Sequence, residues 1–413
     1  MLNFCRRLIP KKIFARCQPV YHASLTALAA LFYRLPANRL VVVAVTGTKG
    51  KSTTAEMLAS ILRAAGQTVF LSSTIHFVIG DDERPNLLKM TTPGRFLLQR
   101  LLREAVRRGA MVAVIEMSSE GAKLWRHVGI QLDGLVVTNL SPEHIESHGS
   151  FENYRAAKLR LAHALVKSHK PNKFLILNKN DEALAPFKEA VAKADIKVSE
   201  FNHAEARYAT TLPGQFNLEN ALAAAAAAEV LGIRTDIIAH ALTHFTGAKG
   251  RLESITVADP ALRDKQKFAV IVDYAHTADS LQKLYEAFGE RRKICVLGGT
   301  GGGRDRAKRL VMGRIADEHC RAIILTNEDP YDEDPIQIVN EVASGVSKHP
   351  PQIIMDRRAA IKAALNLAEP GEVVIISGKG TDPYIMGARN TKEPWSDADV
   401  AREELESLLK AKT

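Results

Sequence analysis

Apolar residues fall along this chain in short runs, and the intervening segments carry apolar positions at helical spacing. The runs RLVVVAV (39–45), MVAVIEM (111–117), GLVVTNL (134–140) and KFLILN (173–178) are rich in Val, Ile and Leu. Runs of that length, apolar at successive positions, predict buried strands of a mostly parallel sheet with helical crossovers. NLENALAAAAAAEVLGI (217–233) predicts a tightly packed helix ending near Gly232. After about residue 247 the alternation restarts with FAVIVDYA (268–275), KICVLGG (293–299), RAIILTN (321–327) and EVVIISGKG (372–380), which predict a second sheet. The basic, glycine-containing FTGAKGR (245–251) reads as a hinge between the two, and no repeat of 20 to 50 residues is visible.

The N-terminus reads differently. MLNFCRRLIPKKIFAR is basic and ASLTALAALF (23–32) is apolar, but that run is well short of the ~20 residues a membrane span needs. Tyr33 and Arg34 follow it without a convincing cleavage site. A packed or surface-lying amphipathic helix is the expectation for residues 1–38, ahead of peripheral membrane contact and of an export signal.

Composition narrows the partners. A chain of 413 residues exceeds one ordinary core and predicts two or three domains. The net charge of +10 favours anionic partners such as nucleotides, phosphates or polycarboxylates. Aromatic content of 6% provides no basic-aromatic stripe for stacking bases, so nucleic acid is not expected. Cys5, Cys17, Cys295 and Cys320 form no CxxC pair, so no disulfide framework is expected, in keeping with a cytoplasmic protein.

The chemistry concentrates after the first predicted strand. Gly47-Thr48-Lys49-Gly50-Lys51-Ser52 is a shortened phosphate loop, with two residues where the usual motif has four before its Gly-Lys pair. A strand precedes it and Ser52-Thr53-Thr54 open a helix, so backbone N–H groups and the helix dipole would face an anion. Lys51 would neutralise β- and γ-phosphates, and the Ser52 hydroxyl would ligate Mg²⁺. Glu116, at the end of its strand, points toward a ligand crevice. His144 follows the next strand, and Lys158 sits on a predicted helix; taken alone, each reads first as an ordinary residue, a loop histidine and a solvated helix face.

In order, the stretches VTGTKGKSTT, IEMSSEG, TNLSPEHIESHG, YRAAKLRLA, LPGQFNLENALAA, GAKGRLE, VDYAHTADSL, LGGTGGGRDRAKRLVMG, TNEDPYDEDP and ISGKGTDPY resemble the Mur ligases, ATP-dependent amide ligases of cell-wall precursor synthesis. The likeness spans residues 41–413 and is greatest to the members that add the third peptide residue. It implies an α/β fold: a P-loop central domain with a mostly parallel sheet over 39–247 and a Rossmann-like C-terminal domain over 248–413. It implies that Lys51 holds phosphates and that Glu116 and His144 serve a second Mg²⁺, with Lys158 carbamylated beside it. It places Asn217, Asn220 and His276 at the nucleotide, and has Arg251 and Asp273 help the C-terminal domain close over ATP. The partners implied are a muramoyl-type peptide acceptor and an amino acid, with the enzyme a monomer. A polyglutamate-type ligase and a non-catalytic nucleotide-binding module remain the alternatives.

The departures from the family concern substrate. Residues 1–40 are too few for the family's usual UDP-gripping N-terminal domain, which leaves the acceptor open. Asp-Asn-Pro-Arg of the diaminopimelate-specific members is here Glu328-Asp329-Pro330-Tyr331, so a bidentate contact to the amino acid's carboxylate is lost. The acidic run from Glu328 to Asp334 reads either as a site for a cationic amine or as an exposed loop. Lys379 and Asp382, in GKGTD, and Arg304 and Asp305, in the glycine-rich loop, complete the expected substrate side. Lys49 adds a cation to the phosphate loop.

Overall fold

The computed structural model describes residues 11–143, 145–303 and 306–411, with the side chains of 11–17 outside that description. Two compact units divide the chain. The first is Met1–Thr211 with Phe216–Phe245, and the second is Leu212–Gln215 with Thr246–Thr413.

The first unit runs α1 (Lys11–Phe32), β1 (Val41–Thr46), α2 (Lys51–Ala64), β2 (Val69–Ser72), β3 (His76–Ile79), β4 (Asp82–Pro85), α3 (Arg95–Arg107), β5 (Val112–Glu116), β6 (Gly134–Val137), α4 (Phe151–Lys167), β7 (Phe174–Asn178), β8 (Lys197–Phe201) and α5 (Gln215–Val230), with shorter helices between. Its eight strands lie in the order β4-β3-β2-β5-β1-β6-β7-β8. β1 is central, pairing in parallel with β5 (Val43 opposite Val114) and β6 (Val43 opposite Gly134). Val42 to Val45 have no exposed surface, as expected of a strand covered on both faces. The β2–β3–β4 edge is antiparallel and lies outside the predicted runs. Its last strand, Asp-Glu-Arg-Pro, is polar and largely exposed, which suits a sheet edge.

The second unit holds β9 (Glu253–Ser254), β10 (Ala269–Asp273), β11 (Lys293–Leu297), β12 (Ala322–Leu325), β13 (Gln352–Ile353) and β14 (Val373–Ser377), in the order β13-β12-β11-β14-β10-β9. All pairs are parallel except β9 with β10. A hairpin, β15 (Tyr384–Met386) and β16 (Lys392–Pro394), follows. Helix Asp397–Ala411 packs Val400, Ala401, Leu405 and Leu409 into this unit's own core.

The cysteines correct the sequence reading. Cys295 in β11 and Cys320 just before β12 form a disulfide, their Cα atoms 6.1 Å apart. Helix Ala307–His319 carries the chain back to the start of a strand adjoining β11. That crossover brings together cysteines that no local spacing connects. Cys5 lies outside the described residues, as does the side chain of Cys17.

Candidate active site

The phosphate loop takes its shape from two glycines. Gly47 has φ +146°, and a Cβ there would lie 1.9 Å from Thr138 Oγ1. Gly50, at φ +78°, is the N-cap of α2, and a Cβ would lie 2.1 Å from Asn220 Oδ1. Both positions need the left-handed region and the absence of a side chain. The loop is fastened to the residues after β6: Thr48 N donates to Asn139 O and Lys49 N to Asn139 Oδ1, at 2.9 Å each. Thr138 Oγ1 donates to Lys49 O at 2.7 Å, and Tyr154 OH donates to Thr48 Oγ1 at 3.1 Å. Lys51, Ser52 and Thr53 form the first turn of α2, whose N–H groups have no intrahelical acceptor.

Two lysines face the loop. Lys51 Nζ donates to Thr48 O at 2.9 Å, and Lys158 Nζ to Gly47 O at 2.6 Å. Lys158 is 1% exposed on α4, so the solvated-surface alternative is excluded. Burial, reinforced by the charge of Lys51, pushes its amine well below the usual lysine range. Lys49 pairs with Glu143 at 2.5 Å.

Glu116 ends β5 and is buried. Its Oε2 accepts from Thr74 N at 2.7 Å and from Ser52 Oγ and Thr74 Oγ1 at 3.0 Å each. Its Oε1 accepts no hydrogen bond from the described residues. A carboxylate locked by one oxygen, with the other open beside a serine hydroxyl at a phosphate loop, offers the hard donors a divalent cation takes. Asn217 and Asn220 are buried on α5, and Asn220 Oδ1 accepts from Thr54 Oγ1 at 3.3 Å. Lys51, Ser52, Glu116, Lys158, Asn217 and Asn220 thus belong to one assembly. His144 lies outside the described residues.

Thr74 was not singled out in the sequence, because the strand before it is short. Its signal was available in Ser72-Ser73-Thr74, hydroxyls leaving a strand: β2 pairs with β5 at Ser72 opposite Ile115, which sets Thr74 beside Glu116.

In the second unit, Asp273 ends β10. Its two oxygens accept from Leu252 N at 2.8 Å and Ala275 N at 2.7 Å. The Arg251 guanidinium lies 4.2 Å from the centre of the Tyr274 ring, and His276 stands edge-on to that ring at 4.7 Å. Beyond the ends of β12 and β14, Lys379 Nζ donates to Asp329 Oδ1 at 2.7 Å and lies 3.5 Å from Asp382. Glu328 and Asp329 are buried, so the acidic run is not simply an exposed loop. Its other members are bound within the fold: Asp332 accepts from Arg389 N, Glu333 from Arg309, and Asp334 caps helix Pro335–Ala343. Glu328 Oε1 accepts from Thr300 Oγ1 at 2.6 Å, while Oε2 has no hydrogen-bond partner, and burial raises this carboxyl's pKa. Tyr331 adopts φ +53° with its ring against Gly302. Arg304 and Asp305 lie outside the described residues.

A glycine loop at a helix start, a half-satisfied strand-end carboxylate and a buried lysine together suit an α/β protein to hold phosphoryl groups. Residues 45–211 match the Mur ligase middle domain, and 250–380 match the domain described as Mur ligase, glutamate ligase domain. The chain is 34% identical over 410 residues to a UDP-N-acetylmuramoyl-L-alanyl-D-glutamate–2,6-diaminopimelate ligase of Geobacillus kaustophilus, covering 92% of this chain and 81% of that one. It is 34% identical over 432 residues to a UDP-N-acetylmuramyl-tripeptide synthetase of a Roseiflexus species, with 94% and 83% covered. A solved UDP-N-acetylmuramoyl-L-alanyl-D-glutamate–2,6-diaminopimelate ligase superposes with a TM-score of 0.61 at 28% identity, over 89% of this chain and 79% of that one. A Mycobacterium tuberculosis folylpolyglutamate synthase shares the fold, with a TM-score of 0.71 at 16% identity over 93% and 95%. The chain belongs to the Mur ligase family, whose members are ATP-dependent ligases that form amide bonds.

Proposed function

We propose that the protein joins a diamino acid, lysine or diaminopimelate, to a carboxylate of a muramoyl-type peptide in the cytoplasm, using ATP and Mg²⁺. The observation that carries this is the assembly of Lys51, Glu116 and Lys158 around one phosphate loop. Relatives sharing a third of the sequence are named for such ligations.

A carboxylate acylates poorly because its oxygen is a poor leaving group. Transfer of the γ-phosphoryl of ATP to that carboxylate gives an acyl phosphate and ADP. The amine then attacks the acyl carbon, phosphate departs with the C–O bonding pair, and the nitrogen loses a proton. Bringing two anions together needs fixed positive charge. Lys51 and the N–H groups opening α2 bind the phosphates, and Asn217 and Asn220 border the nucleotide. Ser52 and Glu116 would hold Mg²⁺, with His144 and a carbamylated Lys158 supplying further ligands; the ion offsets charge on the phosphoryl oxygens. Lys158 suits carbamylation because burial lowers its pKa and so favours the neutral amine, the form that adds CO₂.

The family resemblance assigns Arg251, Asp273 and His276 to the nucleotide. Arg304, Asp305, Glu328, Asp329, Tyr331, Lys379 and Asp382 receive the amino acid. With Tyr331 where some relatives have arginine, and with Asp329 and Asp382 both beside Lys379, the buried Glu328 becomes the acid that selects a cationic amine. The working domains are 39–247 and 248–413, in a monomer.

Phosphate release from ATP and Mg²⁺, with UDP-linked muramoyl dipeptide and a panel of amines, tests this. Release that requires both dipeptide and a diamino acid is expected. Release only with glutamate and a folate acceptor would replace the proposal with a polyglutamate ligase. ATP binding without release under any pairing would leave a nucleotide-binding module. An added mass of CO₂ on Lys158, seen by native mass spectrometry in bicarbonate, checks the carbamate.

A further inference from the structure

Helix α1 is apolar on two sides. One side packs inward, with Thr26, Ala29 and Ala30 fully buried and His22 Nδ1 2.7 Å from Arg95 on α3. The other faces outward: Val20 is 68% exposed, Leu28 55%, Leu31 62% and Phe32 71%. Phe96 on α3 is also exposed. Scattered exposed apolar residues are ordinary, but several on one helix mark an interaction surface.

The surroundings of this strip are cationic. Arg34, Arg39, Arg100 and Arg107 are exposed. Arg103 is held below the usual guanidinium range by desolvation and by the charges of Arg107, Arg39 and Arg34, so these four groups stand close together. None of these five arginines pairs with a carboxylate among the described residues. Glu104, the acid of α3, is engaged by Arg84 and Arg108 instead. In the sequence no Asp or Glu precedes Glu56, while Arg6, Arg7, Lys11, Lys12 and Arg16 do.

We propose that the outer side of α1, with the arginines of α3, docks on the surface of an anionic phospholipid bilayer. Apolar side chains flanked by guanidinium groups suit the boundary between headgroups and acyl chains. A protein partner would be expected to bring acids into an interface core, where charge is normally sparse. The helix lies on the bilayer: no helix among the described residues is long and apolar enough to cross one.

Flotation of the full chain with phosphatidylglycerol–phosphatidylcholine vesicles tests this, with phosphatidylcholine vesicles as the neutral control. The wild type is expected to float with the anionic vesicles in low salt and to be released as salt rises. Leu31→Glu with Phe32→Glu is expected to weaken partitioning at least tenfold. Arg100→Gln with Arg107→Gln is expected to weaken it about twenty-five-fold, from about fivefold for each cation. Both double variants are expected to keep the wild-type melting temperature and ATP affinity. Phe32→Trp gives a readout that needs no loss: its emission shifts to the blue with anionic vesicles. No flotation with anionic vesicles in low salt, or no blue shift, overturns the proposal. So does light scattering in which Leu31→Glu with Phe32→Glu turns a dimer into a monomer, since a second copy would then cover this face.

Discussion

At Gly50 a single methyl group would collide with the amide of Asn220 and force a left-handed backbone on alanine. Gly50→Ala is expected to cost roughly 1–3 kcal/mol in denaturant unfolding and to weaken ATP binding at least tenfold by calorimetry, because Asn220 must move. Thr74→Val keeps the N–H donor to Glu116 but removes the hydroxyl one. A loss of about 1 kcal/mol in holding the carboxylate is expected. It should appear as a higher Mg²⁺ requirement with unchanged ATP affinity, and an unchanged Mg²⁺ titration would refute that role for Thr74. Lys51 and Ser52 were legible in the sequence because a glycine loop between strand and helix is a local pattern. Thr74 was not, since its importance comes from β2 lying next to β5. The burial of Lys158 was equally hidden, because a helical lysine reads the same whether its amine meets water or the carbonyl of Gly47.

The elements were legible in proportion to their apolar content. Every buried parallel run predicted from sequence became a strand, from β1 to β14, since a strand covered on both faces must be apolar throughout. The strands β2, β3, β4, β8, β9 and β13 escaped: β4, β8, β9 and β13 lie at or near sheet edges and mix polar with apolar residues as loops do, while β2 and β3 are buried but only four residues long. Helix α5 shows the value of small side chains: Ala221, Ala223, Ala224, Ala225, Ala227 and Ala228 are all buried. Ala224→Leu inserts three carbons into a site with no exposed surface and is expected to destabilise the protein by about 1–3 kcal/mol. An unchanged melting temperature would show that the helix can move outward.

For the whole molecule, acid stability depends in part on a buried histidine. His127 is 5% exposed beside Trp125, its Nδ1 has no partner, and burial followed by the charge of Arg160 pushes its pKa down to about 4. The unfolded chain therefore binds the extra proton first. This contribution is complete above pH 6.5 and is lost as pH falls from there toward 4. Up to roughly 3 kcal/mol is involved. Stability of a His127→Phe variant is expected to fall less steeply than wild type across that interval, and identical slopes would exclude the effect. The central position of β1 also sets a schedule for synthesis. β1 leaves the ribosome well before its neighbours β5 and β6, which begin only at Val112 and Gly134. At about 5–20 residues per second, the most apolar strand of the sheet waits roughly 5–20 s for its second partner. Through that interval the nascent chain depends on whatever else in the cell can cover an unpaired valine strand.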